Sequence, residues 1–526
     1  MLRRGTLLMF CLGLLLNGCG SDDVTGSSDD TPPVEGPDVI LSDVVRVNPG
    51  SYAPLSARID LSTASDVSIS LRVHGKNGEE SDIIREFPDM GTDFSIPVHG
   101  LYANTENTVT LNFEDDSGTS LGSKDYTIQT GPLLADLPQI VIKEADRQAM
   151  AEGFTLVSYF GHNGTAFPQR PFIFDSFGDI RWYLDFRGHP DLNGLFYDDG
   201  MERLANGNFY FGSGGTAFGG DASNSIYEVD LFGAVQNTWE MPGYEFHHEV
   251  HEKPNGNFLV TVNKIGAPTI EDHIIEIDRE SKQIIKVWDL GVSLEKTRTT
   301  WTTDSQDWFH ANAVVYDETD DTIIVSGRTQ GVVKLTASNE VVWIMAPHKD
   351  WGSAGNGKDL NQFLLTPLDK DGTPISSQAV LDGDSNHPDF EWNWYQHAPL
   401  VMPNGDIMLF DNGDSRNYSS NERYSRAVVY RVNPTDMTIQ QIWQYGKELG
   451  EEAYSRIVSD VDYLPQKDHM LYSPGAIIFD GSIFGKSMEI DMSNNEVIFE
   501  ADIIPPIAFF NIITLHRTER LPLYPD

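Results

Sequence analysis

One motif returns six times from residue 140 onward: a short apolar run centred on an aromatic side chain. The copies are IRWYLDF at 180–186, VQNTWEM at 235–241, IIKVWDL at 284–290, EVVWIMA at 340–346, IQQIWQY at 439–445 and VIFEADI at 497–503. Before each stands a second run: PFIFD (171–175), SIYEVD (225–230), HIIEID (273–278), VVKL (332–335), AVVYRV (427–432) and SMEIDM (487–492). A third run follows an Asn-Gly or charged turn, as in NGNFYF (206–211), NGNFLV (255–260), DDTIIV (320–325), NGDIML (404–409) and KDHMLY (467–472). A unit of this kind cannot bury its apolar faces alone and must stack on its neighbours. Several short strands per unit, six times over, predict an all-β chain with a six-bladed β-propeller at 140–526, its sheet edges hidden by radial closure.

The spacing adds detail. Trp343 and Trp443 lie 100 residues apart, about twice the interval between the earlier copies, so that blade carries an insertion at 347–394. Long loops in a compact array are more often functional than decorative. The segment 155–186 lacks a leading inner strand, and the C-terminal run 508–515 is expected to supply it. The one helical reading is 143–152. Upstream, residues 38–131 alternate in short runs separated by polar turns, which predicts a small N-terminal β-sandwich. Gly131-Pro132 and Leu137-Pro138 punctuate the boundary.

With 40% hydrophobic residues the chain can build large cores, and its charge of −43 excludes nucleic acid as a partner. Arg3 and Arg4, an apolar run at 7–16 and Leu16-Asn17-Gly18-Cys19 read as a lipoprotein signal peptide over 1–18, with Cys19 the lipidated residue. The run is too short to span a bilayer. Residues 19–37 are rich in Gly, Ser, Asp and Pro and read as a flexible tether. The expected location is the periplasmic side of a bacterial membrane, held by the lipid. Cleavage would remove Cys11 and leave Cys19 as the sole cysteine, so no disulfide forms within one chain. The oligomeric state, a homodimer included, does not follow from these features.

Two segments share a register: His248-x5-Pro254-Asn255-Gly256 and His397-x5-Pro403-Asn404-Gly405. His310 matches them with a turn three residues longer, and Asp199 holds the equivalent place before Asn206-Gly207. The position is the start of the innermost strand, so the three imidazoles should converge on the central channel. Arg328 ends the return strand of the His310 hairpin and should stand beside it. Asn312, two residues after His310, points to the same face. One such histidine is as readily a polar residue in a wet channel; three in register with an arginine weigh against that. His247, His251 and His273 have no such register and are expected to line the surface or the channel. Three histidines also describe a zinc site, but Arg328 would repel a dication, so no metal is expected. A guanidinium with titratable imidazoles suits a tetrahedral anion such as sulfate. One imidazole could then attack while another moves a proton.

HHEVHEKPNGNFLV (247–260), DWFHANAVVYDETDDTIIVSGR (307–328) and QHAPLVMPNGDIMLFDNG (396–413), in this order, resemble the bacterial arylsulfate sulfotransferases that work without the nucleotide sulfate donor PAPS. A small β-domain before the propeller is also usual there. The resemblance implies a ping-pong reaction: a phenolic sulfate ester gives its sulfuryl group to a histidine, and an acceptor phenol takes it. It assigns His397 as nucleophile, His310 as general acid and base, and His248, Asn312 and Arg328 as binders of sulfuryl oxygens, with no cofactor. His248 is preferred to His247 on the internal register. Some relatives have a disulfide near the nucleophile; this chain must order its insertion otherwise. Trp351, Phe363, Trp392, Trp394 and Tyr395 could stack on a phenol ring or pack the blade. No glycine-rich loop opens a helix to cradle phosphates. Two other classes stay open: a metal-dependent propeller hydrolase with a three-histidine site, and a non-catalytic propeller that binds a surface partner.

Overall fold

The computed structural model describes residues 37–161, 170–193, 200–213, 224–300, 304–419, 421–506 and 512–525. The signal peptide, Cys19, the tether up to residue 36, and Asp199 lie outside the described residues.

The N-terminal domain has five strands: β1 (Ile40–Val47), β2 (Ser56–Val73), β3 (Ile83–His99), β4 (Glu106–Glu114) and β5 (Ser120–Gln129). They form one sheet, with β2 pairing to β1 over its first half and to β4 over its second. The register of β2 against β3 slips between Ser62 and Val67, where Ala64, Ser65 and Asp66 are exposed. A bulge of this kind bends a strand, and here it folds the sheet onto itself. Ala57, Ile59 and Leu61 from one limb and Ile69, Leu71 and Val73 from the other share a core with Val109, Leu111 and Phe113. The expected sandwich is therefore two limbs of one bent sheet. Its core continues into two blades, through Trp182 and Leu184 on one side and Phe209 on the other.

Six further sheets follow. Their inner strands are Glu202–Arg203 with Phe209–Ser213 beside it, Tyr244–Glu252, Ala311–Asp317, His397–Val401, Asp460–Leu464 and Ile513–Leu521. From Tyr244–Glu252 onward, each packs against the next. Arg517 pairs with Glu202, and Arg203 Nη1 donates to Pro522 O at 2.5 Å, which closes the ring. The C-terminal strand is the inner strand of the blade made by Phe154–Gly161, Phe172–Phe174 and Ile180–Tyr183, as expected, but it runs Ile513–Leu521 instead of 508–515. Residues 507–511 lie outside the described part.

The helical reading of 143–152 is corrected. Gln139–Ala145 is a strand that extends the open edge of Glu496–Ile504, with Ile140 and Ile142 packed on the core below. The chain then turns because the Asp146 carboxylate accepts the amide N–H groups of Gln148 and Ala149.

The repeated aromatic has a physical reason. Trp182 donates its indole N–H to Leu231 O, Trp239 to Arg279 O and Trp288 to Thr336 O, each at 2.9 Å, and Trp443 to Met492 O at 3.0 Å. Each acceptor lies at the outer turn of the following blade. Each clasp thus buries a large ring between blades while satisfying its polar tip.

The insertion is ordered without a disulfide. Thr366–Leu368 pairs in parallel with Thr438–Tyr445. Trp351, Leu360, Phe390 and Trp392 are buried in the flanking cores, with Phe363 packed against them. Behind them Asp411 binds Arg416 at 3.0 Å and Arg426 at 2.8 Å, all three with side chains out of contact with solvent.

Candidate functional site

Each histidine of the register sits at a break in strand pairing. The register slips between Phe246 and Val250, between Ala311 and Ala313, and between His397 and Leu400. His248 (φ 56°) and His310 (φ 55°) are left-handed, as is Ala398 (φ 48°) directly after His397. Bulges re-aim side chains, and non-glycine residues held at positive φ cost energy that the surrounding fold must offset.

His248 and His310 meet in the channel, Nε2 to Nε2, at 3.3 Å. His247 is buried with its ring edge-on to that of His248, so of the two it is His248 that reaches His310. Nδ1 of His310 lies 2.6 Å from an Asp307 carboxylate oxygen and 2.8 Å from one of Glu271. Burial works against charge on His310, but the hydrogen bonds to Asp307 and Glu271 outweigh it and hold the imidazole above its ordinary range. Glu271 is the counterpart: burial opposes its ionisation, yet His248 and His310 hold it far below the usual carboxylate range.

His397 differs in every respect. Burial pushes its imidazole well below the ordinary value, and the charges of Arg328, His248 and His310 push in the same direction. Its Nδ1 lies 2.7 Å from Oδ1 of Asn412. Asn412 is fully buried, and its Nδ2 donates to Ser455 O at 2.8 Å and Val458 O at 2.9 Å.

Arg328 follows its return strand as expected, its amide N–H donating to His310 O at 2.9 Å. The guanidinium lies 5.4 Å from the Tyr395 ring, Nε is buried without a partner, and among the described residues no carboxylate is within ion-pair distance. Desolvation lowers its pKa. A desolvated cation without a counter-charge is costly, and an anionic ligand removes that cost. Asn312 donates Nδ2 to Gln396 O at 2.8 Å, which ties the blade of His310 to the residue preceding His397. Trp394 and Tyr395 line a crevice with Arg328, Arg298 and Tyr418, whereas Trp351 and Trp392 pack the blade.

His251 and His273 fall outside the cluster. His251 lies in the channel, where burial and Lys253 lower it to about 4. His273 is buried against Asp272 at 2.7 Å instead of lining a surface. Among the described residues two groups bring potential metal ligands within 4.8 Å of one another, His247 with His248 and Glu271, and Glu271 with Asp307 and His310. The trio His248, His310 and His397 is not such a group.

Asn412, Glu271 and Asp307 escaped the sequence reading. Asn412 was findable: it stands fifteen residues after His397, as Arg328 stands eighteen after His310 across a turn three residues longer. The same position in the blade of His248 is Asn263, whose Oδ1 accepts the Glu271 amide N–H at 2.7 Å.

The arylsulfotransferase (ASST) family model matches residues 139–506, and the arylsulfotransferase Ig-like domain matches 44–131. Among curated relatives, the arylsulfate sulfotransferase AssT of Escherichia coli O6:H1 is 30% identical, covering 88% of this chain and 90% of its own. AssT of Lelliottia amnigena is 29% identical with the same coverage. Among solved structures, an auxiliary nutrient binding protein from Bacteroides ovatus covers 89% of this chain and 97% of its own at 8% identity, with a TM-score of 0.31. From the family match over residues 139–506 and over the domain before them, the chain belongs to the arylsulfotransferase family of sulfotransferase enzymes.

Proposed function

We propose that the chain moves a sulfuryl group from a phenolic sulfate ester to an acceptor phenol by a ping-pong reaction through a sulfohistidine at His397, without a nucleotide sulfate donor. The observation that carries this reading is a half-buried imidazole, its pKa pushed well below the ordinary value, with a half-buried guanidinium near it that has no carboxylate within ion-pair distance among the described residues. Arg328, His248 and Asn312 hold the sulfuryl oxygens. The unprotonated nitrogen of His397 attacks sulfur, the sulfur–oxygen ester bond breaks, and its electron pair leaves on the phenol oxygen, which takes a proton from His310. In the second half His310 takes the proton of the incoming phenol, whose oxygen attacks sulfur and frees His397. The guanidinium neutralises charge on the sulfuryl oxygens throughout.

The same reading places the enzyme on the periplasmic side of a bacterial membrane, anchored through Cys19. Its test is an assay with 4-nitrophenyl sulfate and phenol, without nucleotide, before and after treatment with a chelator. Phenyl sulfate should form and nitrophenol appear, with chelation harmless. Hydrolysis without transfer, lost on chelation and restored by zinc, would favour the metal hydrolase instead. An inert protein would favour a binding module.

A further inference from the structure

We propose that Asn412 is the positioning residue of the nucleophile, fixing His397 as the neutral tautomer with its proton on Nδ1 and its lone pair on Nε2; this rests on His397 carrying the sulfuryl group. The donors and acceptors around the amide decide the tautomer. Both protons of the Asn412 amide nitrogen are engaged by acceptors that cannot donate, Ser455 O at 2.8 Å and Val458 O at 2.9 Å. The reverse amide orientation would set oxygen against two carbonyl oxygens, so Oδ1 must be the atom that faces His397, at 2.7 Å. That oxygen only accepts, so Nδ1 of His397 must donate, and Nε2 is left bare. The main chain of Asn412 is held as well: Ser425 Oγ donates to its backbone carbonyl at 2.8 Å and receives the Ser455 amide N–H at 2.9 Å. At the same place in their blades, Asn263 serves the Glu271 backbone, and Arg328 makes no hydrogen bond to an imidazole among the described residues. The contact is therefore particular to His397.

An amide differs from a carboxylate here in a chemically useful way. A carboxylate would draw His397 toward the imidazolium, which has no lone pair to offer. An amide orients the ring without adding charge. After Nε2 bonds to sulfur and the phenol oxygen departs with the ester electron pair and the proton from His310, Nδ1 still holds its own proton because Oδ1 cannot take it. The adduct is then a sulfonated imidazolium, and when the acceptor oxygen attacks, the nitrogen–sulfur electron pair returns to a ring that leaves neutral. A carboxylate would take the Nδ1 proton and leave a neutral sulfoimidazole, a poorer donor.

The test compares full-length wild type, Asn412→Ala and Asn412→Asp, mixed with 4-nitrophenyl sulfate without acceptor across a range of pH. Nitrophenol burst, adduct and melting temperature are followed, and phenol is added last to discharge the adduct. Asn412→Ala should slow the burst about 10- to 100-fold, the usual cost of losing a side chain that orients a reacting group, with KM for the donor little changed. Asn412→Asp should move the acid limb of the burst to higher pH and slow discharge by phenol. A wild-type burst rate and pH profile in both variants would overturn the proposal. If Asn412→Ala does not fold, the pH profile and discharge of Asn412→Asp decide alone, an unshifted profile with wild-type discharge overturning it. Absence of any adduct on the wild type would instead defeat the ping-pong reading.

Discussion

His310 and His397 occupy the same place in successive blades, at a bulge where an inner strand begins, and yet they are prepared for opposite tasks. His310 has two carboxylates on one nitrogen, and they raise its pKa above the ordinary value against burial. His397 has a neutral amide on one nitrogen, an arginine nearby and no carboxylate contact among the described residues, and its pKa is pushed well below the ordinary value. Position comes from the repeat; protonation state comes from what the return strand and the neighbouring loop bring to Nδ1. A proton donor and a nucleophile are thereby separated by environment at equivalent positions of one repeat.

The largest expected effect removes the asymmetry at its nucleophilic end. His397→Ala should eliminate adduct, burst and transfer with every donor. His310→Ala should keep a slow burst with 4-nitrophenyl sulfate, whose leaving group needs little protonation, while phenyl sulfate, a poorer donor, loses about 100- to 10,000-fold. Equal losses with both donors would mean that His310 does not act as the acid. Next, Arg328→Lys keeps the charge but loses the planar fork, and should cost about 100-fold in kcat/KM. An unchanged value would remove Arg328 from the chemistry.

A smaller effect tests the other end. Glu271 helps to keep His310 protonated against burial, so Glu271→Gln should lower the His310 pKa. The donor form is lost as pH rises through that pKa. The alkaline limb for phenyl sulfate should therefore move to lower pH. Between the new limb and the old one the variant should lose activity about tenfold for each step of one in pH, and below both it should converge with wild type. A profile that keeps its alkaline limb would assign the proton to Asp307 alone. The smallest effect lies far from both histidines. Cys19→Ser should leave turnover unchanged while releasing the protein from membranes, and an unaltered wild type found wholly in the soluble fraction would contradict the anchor.

The site was legible in the sequence to the extent that it follows the repeat. The Asn-Gly turns fixed the register of His248 and His397, and hairpin geometry brought Arg328 to His310. The same geometry reaches Asn412, had it been applied to the next blade. Glu271 was not legible, because it lies in a loop between the second and third strands, where no period operates. The fold behaved alike. Trp182, Trp239, Trp288 and Trp443 repeat because each clasps the next blade, so the repeating β-sheet organisation could be read directly. Residues 143–152 read as helical, but the edge of Glu496–Ile504 took up Gln139–Ala145 as a strand, a tertiary pairing that no local pattern announces. The bend that turns one N-terminal sheet into two layers falls on Ala64, Ser65 and Asp66, ordinary polar and small residues with no turn signature.

The most direct test of the central claim is peptide mapping, under alkaline conditions, of the protein treated with an aryl sulfate in the absence of acceptor. A sulfuryl group on a ring nitrogen survives in base and is lost in acid, where the ring leaves as its protonated form. One sulfuryl group per chain is expected, carried by the peptide that contains His397, absent from His397→Ala and discharged by added phenol. A sulfuryl group found on His248 or His310, or transfer that proceeds with no adduct at all, would contradict the assignment of His397 as the nucleophile.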